Sequence, residues 1–171
     1  PPAFGEGGSY DGPLIIAPFF ADVDTRHQDS NVVTYGTNAA GTKLCVNWTD
    51  VGYYSSAADK LNSFQLVLTK AAAADREAGD FDIQFNYDRI QWETGNASGG
   101  ENGFGGTSAL AGFTAGTPDV PGTVVQLQGS LENGALLDDG AHALVANSLN
   151  AGGRAGRYNF SVLNGSVAQL L

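Results

Sequence analysis

Asp22 and Asp24, two positions apart in "FFADVDTRH", are the residues whose types and spacing come closest to a chemical motif. On a strand, side chains at i and i+2 share a face, with their backbones about 7 Å apart. That spacing lies within the roughly 5 to 9.5 Å between the paired carboxyls of glycosidases. Such pairs usually face each other from different strands across a cleft, and nothing else here marks a sugar-cleaving pocket. Asp24-Thr25 also begins like the Asp-Thr-Gly of aspartic peptidases, but Arg26 replaces the glycine and no second copy exists. Calcium is the better chemical reading. Ca²⁺ takes about six to eight oxygens, often from Asp carboxylates and loop carbonyls. Asp22, Asp24, Asp29 and the polar row from Asp80 to Asp88 could supply them, although neither an EF-hand loop nor a Gly/Asp nonapeptide repeat is present. Asp22 and Asp24 are therefore candidate Ca²⁺ ligands. The alternative is that they pair with Arg26 or cap turn amides.

The remaining reactive residues form no recognisable constellation. His27 and His142 lie far apart, and no Gly-x-Ser-x-Gly elbow exists to seat a nucleophile. Cys45 is the only cysteine, which precludes an intrachain disulfide, and its place in a strand pattern predicts an inert, buried thiol. The run "GGENGFGG" lacks the Lys-Ser/Thr of a phosphate loop and reads as a flexible connection. No catalytic residue is assigned and no cofactor other than Ca²⁺ is indicated. Tyr53, Tyr54 and Trp92 would stack on sugar rings if exposed, and otherwise belong to the core. Asn47, Asn96, Asn159 and Asn164 each open an Asn-x-Ser/Thr sequon, permissive for glycosylation in a eukaryotic secreted chain.

These residues must be positioned by strands. "FDIQFNY" alternates cleanly, with Phe81, Ile83, Phe85 and Tyr87 on one face and Asp82, Gln84, Asn86 and Asp88 on the other. "NSFQLVLTK", "KLCVNWT" and "RYNFSVL" repeat the two-residue period, the signature of a half-buried strand. Further strands are expected at 14–18, 32–35, 90–92, 109–114 and 124–127. The stretch 70–78 has helix formers enough for a turn or two but reads better as the cap of a long hairpin between the Phe64 and Phe81 strands, and a turn of helix is expected near 144–147. The chain thus reads as all-β, a sandwich or partly closed barrel of about nine short strands with long Gly-rich loops. Its 171 residues fit one domain spanning 1–171. With 18 acidic against 8 basic residues the net charge is −10, which argues against nucleic acid and anionic membrane surfaces. No apolar run approaches membrane-spanning length. The absence of methionine and the Pro-Pro start suggest a mature product or an excised fragment.

Three blocks resemble the nidogen-like (NIDO) extracellular domain: "IAPFFADVDTR", "VNWTDVGYYSSAADKLNSFQLVLT", and "FDIQFNYDRIQWETGNASGG" with "ALAGFTAG". Together they span residues 14 to about 116. The tail from Leu136 and the low cysteine count resemble a bacterial surface or secreted member. The resemblance implies an extracellular or cell-surface module without catalytic activity, acting in adhesion or matrix assembly. It supplies no agreed ligand site. The expected partners are an extracellular protein, a glycan or copies of the chain itself. Two alternatives stand beside the adhesion reading: a carbohydrate-binding module, and a self-assembling subunit whose strand at 158–162 completes a neighbour's sheet.

Overall fold

The computed structural model describes residues 14–71, 76–115, 120 and 122–167. It is all-β, with ten strands in two sheets and a single 3-10 turn, Asn96–Ser98, among the described residues. The strands are β1 (Ile15–Phe20), β2 (Val23–Asp24), β3 (Thr34–Thr37), β4 (Lys43–Tyr53), β5 (Ala57–Lys70), β6 (Phe81–Arg89), β7 (Leu110–Thr114), β8 (Val124–Gln126), β9 (Arg157–Leu163) and β10 (Ser166–Val167). The smaller sheet has the order β1-β7-β8. The larger runs β10-β9-β6-β5-β4-β2, with β3 also paired to β4. The expected sandwich or partly closed barrel is what forms.

Period-2 patterning decides which faces meet. Phe64 and Leu66 of β5, Ile83, Phe85 and Tyr87 of β6, and Tyr158, Phe160 and Val162 of β9 all point into one core. Phe19 and Phe113 face them from the smaller sheet, and the Tyr87 hydroxyl donates to the Pro18 carbonyl at 2.6 Å, tying the sheets together. Fully burying each such apolar side chain stabilises by about 1.5–3 kcal/mol. The opposite face of the larger sheet carries a polar ladder. Gln65 donates to Asn47 at 2.6 Å, Asn86 donates to Gln65 at 2.8 Å, and Arg157 donates to Asn86 at 3.0 Å. Cys45 lies on this strand system half-buried, not fully buried as expected, because its neighbours Val46 and Trp48 take the core side.

One expected strand is absent. Residues 90–92 join no ladder; their backbone is held mainly by side chains, with one backbone bond from the Asp138 N–H to the Ile90 carbonyl at 3.0 Å. The buried Asn62 amide accepts from the N–H groups of Gln91 (2.7 Å) and Trp92 (3.2 Å) and donates to the Trp92 carbonyl (2.8 Å). Asp138 accepts from the Ile90 N–H at 2.6 Å. The apolar signal of Ile90 and Trp92 was a burial signal, satisfied without sheet pairing. Near 144–147 a single turn forms, with the Asn147 N–H donating to the Ala143 carbonyl. The strands on either side of 70–78 pair as the expected hairpin, Lys70 opposite Phe81, while residues 72–75 of its cap lie outside the described residues.

Candidate functional site

The chain turns out of β1 at Phe20 and runs through β2, placing Asp22 and Asp24 where three loops meet. The Asp22 carbonyl accepts from the Tyr54 N–H, and the Tyr54 carbonyl accepts from the Asn96 N–H, both at 2.9 Å. The two side chains then diverge. The Asp22 carboxylate accepts from the Ser98 N–H (2.8 Å) and the Ser98 hydroxyl (2.9 Å), clasping the 3-10 turn. The Asp24 carboxylate accepts from the N–H of Arg26 (3.0 Å), the N–H of Ser56 (2.9 Å), and the Arg26 guanidinium through Nε and Nη2. The guanidinium holds Asp24 well below the usual carboxylate range, against the upward push of burial, and the two amides add to the lowering. Asp24 in turn raises Arg26.

Every carboxylate oxygen of this pair already has a protein donor. Among the described residues no group of three or more His, Cys, Asp or Glu gathers as a metal-ligating cluster. The geometry at these residues shows Arg26 pairing and the capping of turn amides. Gly95 makes the corner tight. A Cβ there would lie 2.7 Å from the Tyr54 carbonyl oxygen and 2.8 Å from the Asp22 Cβ.

The three candidate sugar-stacking aromatics separate. Trp92 is 0% exposed, packed edge-on against Phe19, and its indole N–H donates to the Val51 carbonyl at 3.0 Å. Tyr53 is likewise buried, its ring tilted against Trp92 and its hydroxyl donating to Asp59 at 2.7 Å. Burial, with Asp59 beside it, pushes the Tyr53 phenol up. Neither ring offers a face to a ligand, which corrects the expectation for both. Tyr54 is 41% exposed, and the Arg26 guanidinium carbon sits 5.5 Å from its ring centroid. Phe104, also exposed, carries Lys60 at 5.2 Å. Aromatic rings capped by cations therefore flank the corner.

A further carboxylate, unmarked by the sequence pattern, is buried nearby in the chain. Glu93 is 1% exposed. Its Oε1 accepts from the Gly134 N–H at 2.6 Å and from the Ser108 hydroxyl at 3.3 Å. Its Oε2 has no partner among the described residues. Burial pushes this carboxyl up, with Gly134 and Ser108 opposing. Elsewhere an opening of about 550 Å³ between the sheets is lined by apolar residues such as Leu14, Leu68, Phe81 and Phe113, and none of the candidate residues reaches it.

Residues 38–164 match the model of the nidogen-like domain. Alpha-tectorins from mouse, human and chicken are each 32% identical to this chain, over 62% of it and 6% of their own length. The chain thus spans about 6% of the curated relatives it matches. No solved structure matches. The family match runs through the last long strand, further than the 14–116 stretch read from motifs, and starts after "ADVDTR". These relatives are vertebrate proteins and lend no support to the bacterial expectation. Family and relatives point to an extracellular-matrix location. With well over half of its length matched, the chain belongs to the nidogen-like (NIDO) domain family.

Proposed function

We propose that this chain is a non-catalytic adhesion module of the extracellular matrix, presenting its loop corner to an extracellular protein or glycan. The observation that carries the reading is the state of Asp22 and Asp24. All their oxygens are engaged by Ser98, Arg26 and Ser56, so the pair acts as a double pin under an exposed surface. That surface offers Tyr54 with Arg26, and Phe104 with Lys60. A rigid aromatic with a neighbouring cation is a common anchor at protein interfaces. The net charge of −10 disfavours nucleic acid as the partner. No described helix is long and apolar enough to cross a membrane.

The test is binding of the wild-type chain and the Tyr54→Ala variant to immobilised matrix proteins and to a glycan array. Adhesion reduced by the substitution, at an unchanged melting temperature, supports the corner as the contact surface. Hydrolase activity abolished by Asp24→Asn would replace the adhesion reading with an enzymatic one. A rise in melting temperature on adding Ca²⁺, lost with a chelator, would return the two aspartates to the role of ligands.

A further inference from the structure

The two edges of the larger sheet are treated differently. At β9 the outer edge is taken. Leu149 donates its N–H to the Arg157 carbonyl and accepts from the Asn159 N–H, both at 2.9 Å, and β10 pairs with Leu163 and Val162. The strand at 158–162 is therefore paired along β6 on its inner edge and met at both ends of its outer edge by its own chain, which obstructs a neighbour's strand there.

At the far side, among the described residues, β3 pairs only with β4. Its register is unbroken: Thr34 with Asn47, Tyr35 with Val46, Gly36 with Cys45 and Thr37 with Leu44. Just beyond it the Asn38 N–H donates to the Lys43 carbonyl. Antiparallel ladders alternate, so Thr34 and Gly36 also aim their backbone groups at β4, and Tyr35 and Thr37 aim theirs outward. Natural edges are usually blunted by charge, proline or a bulge. Residues 31–37, Asn-Val-Val-Thr-Tyr-Gly-Thr, contain no charge or proline, and the β3–β4 register has no bulge. Shortness is the one protective feature. Tyr35 shares the core-side face with its partner Val46, yet it is 81% exposed, and Val32 and Val33 beside it are exposed too.

We infer that β3 is a homotypic docking edge, at which a second copy of this chain adds its own β3 in antiparallel, two-fold pairing. The outward groups are main-chain donors and acceptors at two-residue spacing, so their complement is an extended strand. A second copy suits this edge because both strands are uncharged. Two chains of net charge −10 can meet here without like charges directly opposed. Pairing centred on Tyr35 places Tyr35 of one copy opposite Tyr35 of the other, and Val33 opposite Thr37. All of these lie on one face, and cross-strand aromatic pairs are favourable. A contact of four residues per copy is small, so the association is weak in solution and gains strength where several copies are held together. The inference does not rest on the loop corner, and its failure would leave the adhesion reading intact.

Sedimentation equilibrium of the 171-residue chain over a range of concentrations tests it. The expected result is a weight-average mass that climbs toward the dimer. Thr37→Pro removes an N–H that points away from β4, and Tyr35→Lys puts a charge on the edge. Each should weaken association about tenfold or more while leaving the melt nearly unchanged. A wild type that stays monomeric at the highest concentration overturns the inference. So does association that persists undiminished in Tyr35→Lys, a substitution at an exposed site that should not disturb folding.

Discussion

The corner at Asp24 and the interior at Glu93 solve the burial of a carboxylate in opposite ways. Asp24 has a guanidinium and two backbone amides, and its acidity is strengthened. Glu93 has one amide, one distant hydroxyl and an Oε2 without a partner among the described residues, and its acidity is weakened. The first arrangement ties sequence-distant loops into one corner, Asp24 to Ser56 and, two residues earlier, Asp22 to Ser98. The second holds the 93 and 134 segments together at an electrostatic cost. Buried charge stabilises only where its bonds are complete.

The largest expected effect of breaking this contrast comes from Asp24→Ala. The amides of Arg26 and Ser56 lose their acceptor together, and Arg26 loses its partner. Leaving such groups unsatisfied costs about 2–4 kcal/mol. In a domain of this size that lowers the melting temperature by roughly 5–10 °C. Calorimetry checks it, and a loss below a degree or so would show that Asp24 does not pin the corner. Asp24→Asn keeps an acceptor oxygen and should lose less.

Gly95→Ala comes next. The added methyl would press on the Tyr54 carbonyl and the Asp22 Cβ, so backbone must shift. Overpacking of this kind costs about 1–3 kcal/mol. Hydrogen exchange at the Tyr54 and Asn96 amides, which bridge the corner, should speed up before the β5 and β6 amides do. Asp22→Ala is expected to cost about 1–2 kcal/mol, because it removes both bonds to Ser98 while leaving the Asp22 carbonyl bond in place. Its signature is faster exchange confined to residues 96–99. Equal loss across the whole sheet would mean that the two aspartates act as one unit.

The strands were legible because alternation is forced wherever one face of a sheet is buried. "FDIQFNY" and "RYNFSVL" could form the core only in the phase seen. Residues 90–92 were misread as a strand because apolar spacing reports burial, not its hydrogen-bond partners. The partner of Gln91 and Trp92 is Asn62, 29 and 30 positions earlier. At the corner, Asp22, Asp24 and Arg26 stood out by type, but Ser56 and Ser98 did not, since a hydroxyl-bearing loop residue has no pattern of its own. Tyr53 and Tyr54 are adjacent and alike in sequence. Only the end of β4 separates them, the first turned inward and the second out. Glu93 was silent for a similar reason: one acid between Trp92 and Thr94 looks solvated until its neighbours are known.

The smallest effect is also the one that separates the two carboxylates most directly, and it lies in the pH dependence of stability. Asp24 has a depressed value in the folded state. Its contribution is present above the unfolded value of about 3.9 and is lost as the pH falls toward the folded one. Glu93 has a raised value. The folded chain holds that proton more tightly than the unfolded chain, so a penalty grows as the pH rises from about 4.3 through the folded value. Glu93→Gln cannot ionise and escapes the penalty. The difference in melting temperature between Glu93→Gln and wild type should therefore shift in favour of the variant between about pH 4 and pH 7. The acid limb set by Asp24 should be unchanged. A constant offset across that range would mean that the folded and unfolded chains bind the Glu93 proton equally. Glu93 would then be solvated in a way its burial does not allow, and the contrast between the two regions would collapse to one of hydrogen-bond count alone.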